Sequence, residues 1–120
     1  MERGEENGGE EVMGKTYKYE DVHKKSLSYF HGDELAASVF TGKYALKDLN
    51  GNYFETSPAH MHKRLSKELA RVEASYPNPM SEEEIFDLLD NFKYIVPQGS
   101  PMSGIGNKFQ VQSISNCFVI

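Results

Sequence analysis

The chain has 120 residues, 38% of them hydrophobic, no tryptophan and a single cysteine, which bounds it to one small domain or part of a larger one and excludes an internal disulfide framework. Its formal charge of −5 is uneven: within residues 1–14 five glutamates face one arginine, a net −4, so only −1 falls on the rest. A nearly neutral body argues against duplex DNA binding, which needs a clustered basic surface.

The start of the chain is charged and Gly-rich, and no stretch approaches the roughly 20 apolar residues of a membrane span. A cytoplasmic protein without membrane or nucleic-acid contacts is expected. Residues 1–15 combine Gly4, Gly8, Gly9 and Gly14 with the glutamates and read as a disordered acidic tail, because they bury too little apolar surface to offset chain entropy. From Tyr17 to Phe30, Tyr19, Val22, Leu27 and Phe30 fit one helical face, and Gly32 is expected to end that helix. Asp33 is placed to cap a second helix, with Leu35, Val39 and Phe40 inward and Gly42 as its stop.

Tyr44–Asp48 and Asn52–Glu55 flank Leu49-Asn50-Gly51. Asn-Gly tolerates positive φ and predicts a small two-stranded hairpin. Ser57-Pro58 opens the clearest helix, with Met61, Leu65, Leu69 and Val72 on one side and Lys63, Arg64, Lys67, Glu68 and Arg71 on the other, a solvated face. Tyr76-Pro77-Asn78-Pro79 breaks it. Ser81-Glu82-Glu83-Glu84 is a capping box leading a short helix with Ile85, Leu88, Leu89 and Phe92 inward. His60 and His62, two apart on a helix, point to different faces, and His23 and His31 lie on other segments. All four are expected as solvated surface histidines, with no metal site.

Periodicity then stops. Tyr94-Ile95-Val96 is a short extended piece, and Pro97–Asn107 is a loop dense in Gly, Ser and Pro. Gly99, Gly104 and Gly106 would let backbone approach a ligand closely, while Ser100 and Ser103 offer hydroxyls. The spacing matches neither a P-loop nor a dinucleotide fingerprint, so an ordinary surface loop and a ligand loop both stand. The last segment, Gln110–Ile120, reads as a hydrophobic strand carrying Cys117. On its own, Cys117 is either a small buried hydrophobe or a reactive thiol. A strand with no turn or partner after it suggests the front part of something larger.

Phe92-Lys93-Tyr94-Ile95-Val96-Pro97-Gln98-Gly99-Ser100-Pro101-Met102-Ser103-Gly104-Ile105-Gly106-Asn107, followed by Ser113-Ile114-Ser115-Asn116-Cys117-Phe118-Val119, resembles the large (catalytic) subunit of ribonucleotide reductase. The match is to the junction between that family's N-terminal helical domain and its ten-stranded α/β barrel. Tyr29–Ala37, Lys43–Asp48 and the Glu55-Thr56-Ser57-Pro58 helix start also resemble it, so the likeness covers about residues 17–120.

The resemblance implies a mainly α N-terminal helical domain with a small hairpin over residues 16–96. The substrate loop and first barrel strand would then occupy residues 97–120. It implies that Cys117 is one of a redox pair below the ribose, helping to remove the 2′-hydroxyl as water and ending in a disulfide with a second cysteine farther along the chain. It makes Ser100 a substrate-phosphate contact and has Ser115 and Asn116 line the pocket. The family's radical-bearing cysteine, catalytic asparagine and glutamate, second redox cysteine, C-terminal thiol pair and main specificity site all fall beyond Ile120. An ATP-cone domain is not expected within residues 1–16, which are short and Gly/Glu-rich.

The expected partners are a ribonucleotide, the remainder of the catalytic chain and a second copy of the complete subunit. The helical segment slightly favours adenosylcobalamin over a separate metal subunit as radical source, with no cofactor bound by this chain alone. The competing expectation is a non-catalytic helical interaction module that adds its C-terminal strand to a partner sheet.

Overall fold

The computed structural model describes residues 15–109. The expected acidic tail up to Gly14, and the expected barrel strand with Ser115, Asn116 and Cys117, lie outside the described residues. The chain divides into two compact units, with the boundary between Ser57 and Pro58.

In the first unit, α1 (Tyr19–Tyr29) carries Glu20 and Asp21 in its first turn, where carboxylates complement the positive end of the helix dipole. Val22 and Ser26, four residues apart, form its fully buried line, whereas Tyr19 is 46% exposed. Ser26 displaces the expected apolar residue because its hydroxyl donates to the Thr56 carbonyl at 3.3 Å, which satisfies a buried polar group. The helix closes in a Schellman arrangement: the His31 amide donates to the Ser28 carbonyl (3.1 Å) and the Gly32 amide to that of Leu27 (2.8 Å). His31 (φ 57°) and Gly32 (φ 90°) both take left-handed backbone, so the stop occupies two residues rather than Gly32 alone.

The second helix, α2 (Glu34–Val39), is capped as expected, Asp33 accepting from the Ala36 amide at 3.1 Å. Its inward face differs from the expected one. Ala37 and Phe40 are buried, while Leu35 is 74% exposed and Val39 is also exposed. The small Ala37 lets α2 pack close to α1, and Phe40 and Thr41 continue that face at the next turn. The backbone then widens into a π-helical turn, Phe40–Tyr44, closed by the Ala45 amide on the Phe40 carbonyl (2.9 Å). Gly42 lies inside this turn and does not end the helix.

The expected hairpin reduces to isolated bridges. Among the described residues Tyr53 pairs antiparallel with Lys47 on one side and Tyr17 on the other. The chain does turn here, at Leu49–Asn50 with the Gly51 amide donating to the Asp48 carbonyl at 3.2 Å, and Gly51 (φ 86°) takes positive φ while Asn50 does not. Side chains take amides that a longer ladder would use: Asp48 Oδ1 accepts from Asn50 and Asn52, both at 2.9 Å, and buried Glu55 accepts from the Leu46 amide at 3.0 Å.

In the second unit, α3 (Pro58–Glu73) buries Met61, His62, Leu65 and Ser66. Leu69 and Val72, expected inside, are partly exposed. Lys63, Lys67 and Arg71 are exposed as expected, and Arg71 pairs with Glu68 one turn back. Packed on α3 is α4 (Glu82–Leu89). Its capping box is complete: Glu84 N donates to Ser81 Oγ at 3.1 Å and Ser81 N to Glu84 Oε1 at 2.8 Å. Ile85 and Leu89, four apart, are its buried residues.

A tight turn, Asp90–Phe92, follows α4, with Asn91 and Phe92 at φ 59° and 52°. Positive φ suits asparagine but is costly for phenylalanine. The turn reverses the chain, and the amides of Tyr94 and Ile95 both donate to the Leu88 carbonyl. No helix among the described residues is long and apolar enough to cross a membrane.

Candidate functional site

The segment after that turn carries the candidate chemistry. Tyr94, Ile95 and Val96 are exposed and carry no regular secondary structure, with a bend at Tyr94 in place of the expected short extended piece. The expected loop from Pro97 to Asn107 instead contains a short helix, α5 (Gly99–Gly104). Proline is compatible with this helix because Pro101 falls in the first turn, where a backbone N–H has no intrahelical partner. The Met102 amide donates to the Gln98 carbonyl and the Ile105 amide to that of Pro101, each at 3.1 Å. Ser103 Oγ donates to the Gly99 carbonyl at 3.3 Å. Asn107 closes the far end: its Nδ2 donates to the Ser103 carbonyl (3.1 Å) and its Oδ1 accepts from the Phe109 amide (2.8 Å). Backbone and short polar side chains, rather than apolar burial, hold the turn together.

Two side chains of α3 reach this part of the chain. His62, expected as a solvated residue, is fully buried. Its position between Met61 and Leu65 puts it on the inward face, where Nδ1 lies 3.2 Å from Asp90 Oδ1 and the ring meets Phe92 edge-on at 4.8 Å. It thereby braces the turn that launches the segment. Arg64, two residues on, is half-buried and donates from Nη1 to the Ile105 carbonyl (2.5 Å) and from Nη2 to the Met102 carbonyl (2.7 Å).

Ser100 is half-buried at the second position of α5, and its carbonyl accepts from Ser103 Oγ at 3.5 Å. Ser115, Asn116 and Cys117 lie outside the described residues, so Ser100 is the only expected site residue with a described position. Sequence reasoning does not single out Arg64 or His62 for this region. The signal available is register: both lie on the border of the Met61–Leu65 stripe, where a polar side chain reaches inward.

Among the described residues no three His, Cys, Asp or Glu side chains gather where a metal could be held. His23 Nε2 lies 3.4 Å from Ser38 Oγ and 3.3 Å from Glu34 Oε1. Both contacts fall on one ring nitrogen, so the trio is not arranged as a proton relay, which would use the two nitrogens separately. The displaced titrations lie elsewhere. Hydrogen bonds from the Asn52 amide and side chain hold Asp48 below the usual carboxylate range. The hydrogen bond from Arg71 does the same for Glu68. Burial lowers Lys47 and raises Tyr53.

The family model described as "ribonucleotide reductase, all-alpha domain" matches residues 30–107, more than half of the chain. No curated protein and no solved structure matches the chain.

Proposed function

Since the chain belongs to the ribonucleotide reductase all-alpha domain family, we propose that it forms the N-terminal portion of a ribonucleotide reductase large subunit. The complete enzyme would reduce ribonucleotides to deoxyribonucleotides. The observation that carries this reading is the family match itself, which runs from Phe30 through α5 to Asn107. The Ser113–Val119 resemblance extends the reading to the cysteine strand.

In this reading the Ser100 hydroxyl contacts a substrate phosphate, and Ser115 and Asn116 line the pocket beside the thiol. Cys117 is one of two reducing thiols. Per turnover, the C2′–OH bond breaks, C2′–H forms, the hydroxyl leaves as water and two thiols become one disulfide. The second thiol belongs to the remainder of the catalytic polypeptide. Adenosylcobalamin, or a separate metal-bearing subunit, supplies the radical in the complete enzyme, and we assign no residue of this chain to hold either. The complete subunit works as a homodimer in this proposal.

The test combines this chain with the polypeptide carrying the remaining catalytic residues and follows dithiol-dependent ribonucleotide reduction. Turnover that disappears in Cys117→Ser is expected. Full turnover in that variant, or none with an intact remainder, overturns the proposal.

A further inference from the structure

The α5 segment contains no fully buried residue, yet one side chain from α3 grips its exit. Met102 and Ile105 supply carbonyls at the C-terminal end of α5, where such groups lack partners within the helix. Arg64 spans both with separate nitrogens of one planar guanidinium, a geometry that a lysine ammonium does not reproduce. The next residue is fitted to the same contact. Gly106 sits at φ 76°, and a Cβ there would lie 2.9 Å from Arg64 Cγ. Only glycine lets the chain pass so close to the arginine stem in that backbone conformation.

We propose that Arg64 is a positioning residue for substrate binding. It fixes the exit of α5 and thereby sets where the Ser100 hydroxyl, one turn upstream, meets the nucleotide phosphates. Arg64 does not touch the substrate. The inference rests on the assignment of Ser100 as a phosphate contact. Losing the clamp lets the segment shift, which weakens substrate binding and leaves the chemical step in place. A residue that only supported folding would behave differently: fewer folded molecules lower kcat and leave KM unchanged.

The experiment measures steady-state kinetics of the complete catalytic polypeptide carrying Arg64→Lys, Gly106→Ala, both together, or Ser100→Ala. Arg64→Lys and Gly106→Ala are each expected to raise the ribonucleotide KM about tenfold with kcat changed less than about twofold. The double variant should match the single ones, since both disturb one contact. Gly106→Ala keeps the guanidinium and decides the matter should Arg64→Lys fail to fold. An unchanged KM in the folded variants, or a loss confined to kcat, overturns the inference. Ser100→Ala separates the two proposals. If it raises KM while the other two do not, only the clamp fails. If Ser100→Ala leaves KM unchanged, the phosphate contact fails and the clamp's proposed purpose falls with it.

Discussion

The two units use buried polar groups differently. In the first, Ser26, Thr41 and Glu55 each bind backbone: the Thr56 carbonyl, the Ala37 carbonyl at 2.7 Å and the Leu46 amide. They sit within an apolar set of Val22, Ala37, Phe40, Ala45, Leu46, Tyr53 and Phe54, so polar and apolar groups secure the same short elements. In the second, the apolar contacts belong to α3 and α4, while polar side chains of α3 hold chain 28 to 41 residues away, at Asp90, Met102 and Ile105. Stability and placement are therefore divided in the second unit. Met61, Leu65, Ile85 and Leu89 hold the helices, and His62 and Arg64 locate a segment with no fully buried residue of its own.

That division can be broken in order of expected effect. Leu65→Ala empties a buried site in α3 and should cost about 3 kcal/mol in urea unfolding. A loss below about 1 kcal/mol would mean that α3 is not held by its apolar face. Glu55→Ala strands the buried Leu46 amide and should cost about 2 kcal/mol. Glu55→Gln, which keeps an acceptor oxygen, should cost clearly less, and equal costs would contradict the hydrogen bond's role. Ser81→Ala removes the α4 cap, for about 1 kcal/mol by thermal unfolding. It should leave amide exchange in residues 99–107 unchanged, because the clamp on that segment comes from α3.

The smallest effect is electrostatic. Asp48 has a depressed folded-state pKa, so its contribution is present above the usual carboxylate range and is lost as pH falls through and below that range. The wild-type chain should therefore lose slightly more stability than Asp48→Asn between neutral pH and pH values below that range. An identical decline in the two would remove Asp48 from the account.

Features encoded within a few residues are legible in the amino-acid sequence alone. The Asp33 cap, the Ser81–Glu84 box, the turn over Leu49–Gly51 and the Pro58 helix start all depend on near neighbours, and each is found. The inward faces of the helices are less legible. Leu35, Val39, Leu69 and Val72 fit an apolar stripe, but Ser26, Ala37, His62 and Ser66 fill the buried positions, because hydrogen bonding and close helix approach outweigh simple hydrophobicity. The expected two-stranded hairpin is not formed among the described residues for a similar reason, since Asp48 and Glu55 compete for ladder amides and only isolated bridges remain. Arg64 is hidden most completely. Beside Lys63 and Lys67 it reads as another solvated cation, and its carbonyl partners lie 38 and 41 residues later. The helix within the Gly/Ser/Pro segment is likewise invisible to periodicity, being only six residues long. Of the candidate site, Ser100 has a described position, and the assignments of Ser115, Asn116 and Cys117 rest on the family resemblance.

The proposed chemistry requires the Cys117 thiol to supply electrons to a ribonucleotide. A single turnover of the complete catalytic polypeptide, with its C-terminal thiol pair replaced by serines so that no internal dithiol can re-reduce the product disulfide, is run with ribonucleotide and no external reductant and followed by mass spectrometry of the thiols. Cys117 joined in a disulfide to a cysteine of the downstream chain, in proportion to deoxyribonucleotide formed, is the predicted result. Deoxyribonucleotide formed while Cys117 remains a free thiol would contradict it.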